Sequence, residues 1–306
     1  MNVIFMGTPE MAIPSLVGIM AAGGMVQAVY TQPDRPAGRK KIMTPSPVKQ
    51  FALDAGLRVE TPEKIRDSVF LDQIRELNPD VIIVCAFGQI LPQTLLDIPL
   101  KGCFNSHFSL LPRWRGASPI QASILAGDSV TGVTIQRMVL KLDAGPVVMR
   151  SEKEPVLPAD TFESLSERLG KISGMMTATL IRNLEHGMVE GRVQDESQVT
   201  LCKIIKKEEG KINWNEESAI QIERKLRAYS QWPGIYTMDT RQKRLQITKL
   251  SVRPDQLVPG VVNSGMIVGT RQGSVQILEV KPEGKALMSA EAFARGYPDL
   301  IGSQLL

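Results

Sequence analysis

The chain has few of the residues that hold disulfide scaffolds and metal centres together. Its 306 residues include three cysteines and two histidines. Cys85, Cys103 and Cys202 are widely spaced and form no Cys-x-x-Cys pattern, which argues against a disulfide framework and predicts free thiols in a reducing compartment. No spacing typical of metal ligands occurs either. We therefore expect a cytoplasmic protein with no bound metal.

Long hydrophobic runs are also missing. No stretch approaches the roughly 20 apolar residues that cross a bilayer, and the start, MNVIFMGTPEMA, lacks the basic region and cleavage site of a signal peptide. Hydrophobic residues make up 43% and charged residues 22%, as is ordinary for a globular protein with a real core. The length of 306 residues suggests two domains. We predict a monomer that does not contact a membrane.

The glycine-rich fingerprint of dinucleotide-binding proteins is absent. After a predicted first strand at residues 2–6, the turn reads GTPEMA, with one glycine where the fingerprint G-x-G-x-x-G needs three. The close backbone approach to a pyrophosphate is therefore not provided. We predict no nucleotide cofactor and interpret the run as a tight strand-to-helix turn near a substrate pocket.

The N-terminal part alternates apolar strands with helical patterns. Predicted strands at residues 2–6 and 26–31 flank a helix that ends near residue 22, and such a βαβ unit implies a parallel sheet. The apolar run at residues 80–87 predicts a strand buried on both faces. More strands are predicted at residues 103–108 and 131–138, and a long amphipathic helix at residues 160–184. These patterns predict a Rossmann-like α/β domain over residues 1–188.

The sequence changes character after residue 188. Residues 189–207 are polar and charged with little periodicity, so we predict a linker. Glycine and proline then separate short β-like runs at residues 245–252, 260–262, 266–270 and 274–280. This pattern predicts a small OB-like β-barrel over residues 208–306.

Three polar residues are the best candidates for catalysis. Asn105 and His107 are two apart on a predicted strand, so their side chains share a face, and Asp143 follows in an LDAG run. An amide can donate to an oxyanion, an imidazole can move a proton, and a carboxylate can orient the imidazole. The set suits acyl transfer to an amine. An Asn-x-His pair can also be purely structural, but the unusual loop SLLPRWRG at residues 109–116 favours a functional site.

The segment NSHFSLLPRWRGASPIQ, residues 105–121, resembles the signature of the folate-dependent formyltransferases. In that family an Asn, a His and a downstream Asp are catalytic, and they correspond to Asn105, His107 and Asp143. The resemblance implies that 10-formyltetrahydrofolate is the co-substrate and formyl donor. It also implies that the tetrahydrofolate part contacts Ser109, Leu110, Leu111 and Pro112.

A basic loop, TQPDRPAGRKKIMTPSPVK at residues 31–49, indicates the formyl acceptor. It is similar to the loop with which the methionyl-tRNA-directed branch of the family engages the acceptor arm of the initiator tRNA, and cations on a flexible loop suit phosphate contacts. The segments KIIKKEEGKINW, QWPGIYT and SAEAFARG resemble the same branch. The resemblance implies tRNA contacts by Arg35, Arg39, Lys40, Lys41, Lys206 and Lys207.

The resemblance has one departure. The run MVLKLDAGP at residues 138–146 keeps Asp143 but has Val139 where the tRNA branch has an acid and Lys141 where it has a glycine. This loop carries a proposed catalytic residue, so folate affinity is the property that the changes would affect.

Other interpretations stay open at this point. The acceptor could be a sugar-nucleotide amine, or the chain could be a non-catalytic RNA-binding module that kept the fold. Trp114 could stack on a substrate ring or anchor its own loop. Arg113 and Arg115 could bind the glutamyl carboxylate of a folate or a tRNA phosphate.

Overall fold

The chain forms two compact units. The computed structural model describes residues 1–38, 41–187 and 189–306. The first unit comprises residues 1–119, 130–155 and 166–202, and the second comprises residues 120–129, 156–165 and 203–306. The predictions for Arg39 and Lys40 lie outside the described residues.

The first unit is organised around a seven-stranded sheet with the order β11-β10-β7-β6-β1-β2-β5. The five neighbouring strands β7, β6, β1, β2 and β5 are parallel to one another, whereas β10 is antiparallel to both β7 and β11. The predicted parallel α/β fold is therefore confirmed, with two antiparallel strands added at one edge. The strands before residue 203 are β1 Asn2–Gly7, β2 Met25–Tyr30, β3 Arg35–Ala37, β4 Ile42–Thr44, β5 Val59–Glu60, β6 Val81–Cys85, β7 Cys103–His107, β8 Arg115–Gly116, β9 Val130–Thr131, β10 Thr134–Arg137, β11 Val147–Arg150, β12 Glu154–Pro155 and β13 Leu201–Cys202.

The helices before residue 203 follow the predicted pattern. The apolar repeat predicted at residues 160–184 forms one long helix, and Ser46 caps α2 by accepting a hydrogen bond from the Lys49 amide. None of the helices in residues 1–38, 41–187 and 189–306 is long and apolar enough to cross a membrane. The helices are α1 Ile13–Ala21, α2 Pro47–Asp54, α3 Ser68–Glu76, α4 Gln93–Leu96, α5 Pro119–Ala126 and α6 Phe162–Glu185.

The sheet is buried at its centre. All five residues of β6, VIIVC, are buried, as the continuous apolar run predicted. The chain winds from β1 through β2 to β5 in one direction and from β6 to β7 in the other. In open α/β sheets, ligands bind in the crevice outside the carboxyl ends of the strands at such a reversal. The reversal lies between β1 and β6, and β7, which is parallel to β6 and next to it, ends at the same edge of the sheet.

Buried hydroxyl groups hold β7 from its other face. Ser106 lies between Asn105 and His107, so its side chain points away from theirs. Its Oγ is 2.6 Å from the Oγ of Ser173 on α6, which is also 2.6 Å from the Oγ of Ser15 on α1. This contact fixes β7 against two helices.

One strand prediction is corrected. Residues 131–138, predicted as a single strand, form the end of β9 and the separate strand β10. The two pieces have different partners, since β9 pairs with β12 while β10 lies between β7 and β11.

The second unit contains an antiparallel β domain. Its sheet has the order β14-β15-β18-β17-β16, and β19 also pairs with β18. The predicted β-rich C-terminal domain is confirmed as antiparallel, whereas its closure into an OB-like barrel stays a prediction. Ser218 and Gln221 form a capping box at the start of α7. The elements are α7 Ala219–Ala228, β14 Ile235–Met238, β15 Arg244–Arg253, β16 Val262–Asn263, β17 Ile267–Gly269, β18 Ser274–Pro282, β19 Met288–Ser289 and α8 Ala290–Gly296.

Candidate active site

The carboxyl end of β7 and the strand beside it assemble a polar face. In the antiparallel ladder, Gln136 of β10 lies opposite Asn105, and Thr134 lies opposite His107. Directly opposed residues project to the same side of a sheet. Four polar side chains thus lie together at this point.

Asp143 is the centre of this polar face. Its Oδ1 accepts hydrogen bonds from Asn105 Nδ2 at 3.2 Å and from Gln136 Nε2 at 2.7 Å. Its Oδ2 accepts a hydrogen bond from the Gly116 amide at 2.9 Å and lies 3.6 Å from His107 Nδ1. The side chains of His107 and Asp143 are only 5% and 7% exposed. The structure therefore brings together the three residues that the sequence nominated for catalysis.

The orientation of the His107 ring follows from its second contact. Nε2 lies 2.8 Å from the carbonyl oxygen of Trp114. A carbonyl only accepts, so Nε2 carries a hydrogen and donates it. Nδ1 then faces the Asp143 carboxylate, which an imidazolium can meet with an N–H. Each ring nitrogen thus has its own partner.

Asn105 is the partly exposed member of the group. One of its two amide hydrogens is donated to Asp143, and the second makes no hydrogen bond to the residues that the structure describes. That N–H can donate to an oxygen of a bound substrate. The geometry therefore suits a donor to a developing oxyanion.

Side-chain hydroxyl groups hold the backbone of the loop that follows β7. Thr134 Oγ1 donates to the carbonyl oxygen of Ser109 at 2.7 Å and accepts from the Leu111 amide at 3.1 Å. The Ser109 hydroxyl donates to the carbonyl of Arg113 at 2.5 Å, and Leu111 is fully buried. The predicted folate-contacting segment, Ser109 to Pro112, is thus a fixed loop beside the polar face.

The two arginines of the loop have different environments. The guanidinium of Arg113 lies 4.4 Å from the centre of the Trp114 ring, a cation–π contact. Arg115 is buried, and its Nε donates to Gln194 Oε1 at 3.0 Å while Nη2 donates to Glu196 Oε1 at 2.8 Å. The guanidinium of Arg115 therefore serves contacts inside the protein.

The altered run around Asp143 makes contacts of its own. Lys141 Nζ lies 3.0 Å from Glu196 Oε2, so Glu196 bridges Lys141 and Arg115. Hydrogen bonds from Arg115 and then Lys141 lower the pKa of Glu196 to about 2. Of the two changed residues, Val139 is 42% exposed and the side chain of Lys141 is 70% exposed. The changed residues thus lie at the surface of the loop, while Asp143 faces inward.

Sequence reasoning missed three residues near Asp143 and His107. Gln136 would have been found from the pairing of β7 with β10, had the register been known. Gln194 and Thr200 carry no local signal, and Gln194 lies in the range 189–207 that was predicted as a linker. In the structure, Gln194 is buried and donates to the carbonyl oxygens of Asp143 at 2.8 Å and Gly145 at 2.7 Å.

Of the residues predicted to contact tRNA, the four that the structure describes, Arg35, Lys41, Lys206 and Lys207, lie in two places. The basic loop forms a hairpin of β3 and β4, in which Arg35 pairs with Glu63 at 2.7 Å and Lys41 is exposed. Lys49 closes the base of the loop through Asp34 at 2.7 Å. Lys206 and Lys207 belong to the second unit, at a 3₁₀ turn over Lys207–Gly210.

Comparisons with known proteins match almost the whole chain. Residues 1–180 match the formyl transferase family, and residues 204–298 match the formyl transferase C-terminal domain. The chain is 41% identical over 313 residues to the methionyl-tRNA formyltransferase of Dehalococcoides mccartyi strain CBDB1, covering 100% of this chain and 98% of the relative. It is also 41% identical to the methionyl-tRNA formyltransferase of Neisseria meningitidis serogroup C, with 100% of each chain covered.

A solved structure with low sequence identity shares the fold. The N-formyltransferase of Helicobacter canadensis, crystallised with folinic acid and dTDP-3-aminofucose, superposes with a TM-score of 0.65 at 17% identity, covering 91% of this chain and 99% of that one. At that identity the likeness concerns the fold alone.

Proposed function

The chain belongs to the methionyl-tRNA formyltransferase family, and we propose that Asn105, His107 and Asp143 are the residues with which it transfers the formyl group. Its activity is that of a methionyl-tRNA formyltransferase, as full-length relatives at about 40% identity show. The family is folate-dependent. The remaining questions are which atoms act and how the two substrates are held.

The proposed donor is 10-formyltetrahydrofolate and the acceptor is the α-amino group of initiator methionyl-tRNA. The amine nitrogen attacks the formyl carbon, and the carbonyl oxygen becomes an oxyanion in the tetrahedral intermediate. The bond between that carbon and N10 of the folate then breaks, so the amine loses one proton and N10 gains one. The site must stabilise the oxyanion and move this proton.

The contacts support the following roles. The Asn105 amide has an N–H available for the oxyanion. Nδ1 of His107, next to Asp143 Oδ2, has no hydrogen in the neutral ring whose hydrogen is on Nε2, so it can accept the amine proton and, once protonated, donate to the same oxygen. The Asp143 carboxylate holds the other two residues and accepts the amine proton, directly or through His107. The single observation that supports this proposal is that Asp143 contacts both Asn105 and His107.

The proposed folate contact is the loop Ser109 to Pro112, which lies directly after β7. Its backbone is fixed by Thr134, so it presents a rigid edge to a ligand. For the tRNA, we propose the basic hairpin and residues 208–306 as the binding parts, with residues 189–207 connecting the two domains. Arg35, Arg39, Lys40, Lys41, Lys206 and Lys207 are the proposed phosphate contacts. A monomeric, cytoplasmic enzyme stays our prediction.

The test is transfer of a labelled formyl group from 10-formyltetrahydrofolate to methionyl-tRNA. We expect Asn105→Ala and His107→Ala to lower kcat by about 10²- to 10⁴-fold while the protein stays folded. His186→Ala is the matched control, because His186 is the other histidine of the chain and is exposed at the end of α6. Parental kcat in both Asn105→Ala and His107→Ala would overturn the site assignment.

A second arm supplies a sugar-nucleotide amine together with methionyl-tRNA. We expect formyl transfer to the tRNA, and modification of the sugar amine alone would contradict the proposed acceptor. Equilibrium binding of tetrahydrofolate is measured in parallel, since a chain that binds no folate cannot use the proposed donor.

A further inference from the structure

The segment from Arg192 to Cys202, here called the strap, contacts the loops that carry Asp143 and Trp114. One end is fixed to β11, because Arg192 and Val147 exchange two backbone hydrogen bonds of 2.8 Å each. The other end is fixed because β13 pairs in parallel with β8, the strand that follows Trp114. The strap is thus attached to the segments that directly follow the two loops. These are Val147 after the loop of Asp143 and β8 after Trp114.

Gln194 connects the strap to the loop of Asp143. Its Nε2 donates one hydrogen to the carbonyl oxygen of Asp143 at 2.8 Å and the other to that of Gly145 at 2.7 Å. Its Oε1 accepts from Arg115 Nε at 3.0 Å, which fixes which end of the amide is the donor. The two N–H groups of this buried side chain therefore hold the loop of Asp143, and its oxygen holds Arg115.

Thr200 connects the strap to the loop of Trp114. Its Oγ1 accepts a hydrogen bond from the Trp114 amide at 2.9 Å, and its carbonyl oxygen accepts one from the Arg115 amide at 2.9 Å. The carbonyl of the same Trp114 residue accepts the hydrogen of His107 Nε2. Thr200 thus fixes the residue that decides which nitrogen of His107 carries a hydrogen.

Both loops need such support, because each has a non-glycine residue in a left-handed backbone conformation. Asp143 has φ of 49° and Trp114 has φ of 60°. This conformation is unfavourable for residues with a Cβ atom and persists where surrounding contacts hold it. The strap supplies those contacts to both residues.

We propose that Gln194 and Thr200 are positioning residues for formyl transfer. Thr200 acts through the Trp114 carbonyl to hold the hydrogen on His107 Nε2 and leave Nδ1 facing Asp143. Gln194 acts through the backbone of Asp143 to aim its carboxylate at Asn105 and His107. The proposal rests on the proposed roles of His107 and Asp143, but the ring state of His107 can be measured without turnover.

The first experiment reads the His107 imidazole directly. The full chain is made with His186→Gln, so that His107 is the one remaining histidine, and its ring nitrogens are observed by ¹⁵N NMR. In this parent we expect an Nε2–H that is protected from exchange by its bond to Trp114. Thr200→Val keeps the shape but cannot accept a hydrogen bond, so we expect loss of that protection and a changed tautomer population. Thr200→Ser should restore the parental spectrum.

A Thr200→Val spectrum identical to that of the parent would overturn the role of Thr200. Should Thr200→Val fail to fold, the comparison of Thr200→Ser with Thr200→Ala gives the same contrast with smaller side chains. Because the spectrum needs no substrate, a failure of the proposed function would leave this result intact, and the two failures are distinguishable.

The second experiment tests Gln194 by kinetics. Gln194→Glu keeps the length but replaces both N–H donors with an oxygen that faces two carbonyl oxygens. A misplaced reacting group can cost about 100-fold in rate, so we expect kcat to fall by about 10- to 100-fold. KM for methionyl-tRNA should change less than about threefold, since the basic hairpin is not touched.

The neighbouring Val193→Ala is the matched control, because Val193 is 86% exposed, and it should leave kcat unchanged. Gln194→Met, which keeps the length without a charge, serves if the glutamate variant does not fold. Unchanged kcat in a folded Gln194 variant, or a KM effect with kcat intact, would overturn the role of Gln194.

Discussion

Gln136 lies directly opposite Asn105 in the ladder between β7 and β10, and both amides donate to the same oxygen of Asp143. The contact from Gln136 is shorter, 2.7 Å against 3.2 Å. Gln136 is buried and Asn105 is partly exposed. The two amides thus have different roles at one carboxylate oxygen. The inner amide of Gln136 anchors Asp143, while the outer amide of Asn105 also faces the substrate side.

Replacing the inner amide tests this division. Gln136→Leu removes a hydrogen bond to a buried carboxylate, so we expect the free energy of unfolding to fall by about 1–3 kcal/mol. We also expect kcat for formyl transfer to fall by about 10-fold, because Asp143 loses its shortest contact. Chemical denaturation and single-turnover kinetics measure the two effects. Gln50→Leu is the control, since it removes an exposed amide–carboxylate contact to Asp54. Equal stability of the two variants would contradict the anchoring role.

Asp143→Asn tests the carboxylate itself. Each oxygen of Asp143 accepts from an N–H donor, so an amide NH₂ at this position must face a donor on one side. We expect kcat to fall by about 10²- to 10⁴-fold, with binding of tetrahydrofolate reduced less than about 10-fold. Rates of labelled formyl transfer and an equilibrium folate titration measure these effects. Asp54→Asn, at the exposed end of α2, should change neither, and parental kcat in Asp143→Asn would remove Asp143 from the mechanism.

A substitution at Gly116 tests the close approach of the strap to the loop of Trp114. A Cβ built on Gly116 would lie 1.9 Å from the carbonyl oxygen of Cys202, and its φ is 125°. Gly116→Ala must therefore displace either loop or strap, and we expect a loss of more than about 3 kcal/mol in stability together with loss of activity. Gly56→Ala is the control: it has φ of 69° with no heavy atom within 4 Å of a built Cβ, so only the backbone cost of about 1–2 kcal/mol applies. Thermal or chemical unfolding of the two variants should separate them clearly, and equal costs would show that the strap can move freely.

The basic hairpin is tested by the salt dependence of tRNA binding. Lys41 is exposed at the turn between β3 and β4. If it contacts one phosphate, Lys41→Ala should weaken methionyl-tRNA binding and reduce the slope of log K against log salt by about 0.7–0.9. Tetrahydrofolate binding should not change. Lys153→Ala removes an exposed cation elsewhere and serves as the control. The same slope for Lys41→Ala and the parent would exclude a phosphate contact at this residue.

The three thiols should be unreactive near neutral pH. Burial raises the pKa of Cys85 and of Cys103 to about 12 and that of Cys202 to about 11, from an ordinary value of 9.0. At pH 8 all three are protonated, so we expect slow alkylation of the folded protein and fast alkylation in denaturant. Alkylation of Cys202 should rise first as the pH approaches 11.

The free energy of unfolding should depend on pH through the same three thiols. Unfolded thiols ionise at lower pH than the buried ones, so their contribution is complete below about pH 9 and decreases as the pH rises toward 11–12. Mass spectrometry of alkylated peptides and denaturation at several pH values measure the two effects. Rapid alkylation of Cys85 at pH 8 in the folded chain would contradict its burial.

Local patterns predicted most elements of the fold. The continuous apolar run of β6 and the three- and four-residue apolar repeat of α6 are signals contained within one segment, and each element formed where its pattern lies. The split of residues 131–138 into β9 and β10 was not predictable in this way, since it depends on which distant strands become their partners.

In the candidate site, some residues could be nominated from the sequence, whereas others are known only through their contacts. Asn105 and His107 could be nominated because two-residue spacing on a strand puts them on one face, and Asp143 because a downstream carboxylate completes the set and matches the resemblance. Gln136, Gln194 and Thr200 could not be nominated from the sequence. Their contacts join residues that are separated by between 7 and 86 positions in the chain, and glutamine and threonine are common in positions without such a role.

The sequence by itself determined which chemistry the chain can perform, because an amide, an imidazole and a carboxylate have fixed hydrogen-bonding abilities wherever they lie. It also determined most of the strands and helices, whose patterns are local. Only the tertiary structure decided how these groups face one another: the register of β7 against β10 places Gln136 beside Asn105, and the return of residues 192–202 fixes the loops of Trp114 and Asp143. Those arrangements arise from hydrogen bonds between distant segments, which no periodicity within a segment records.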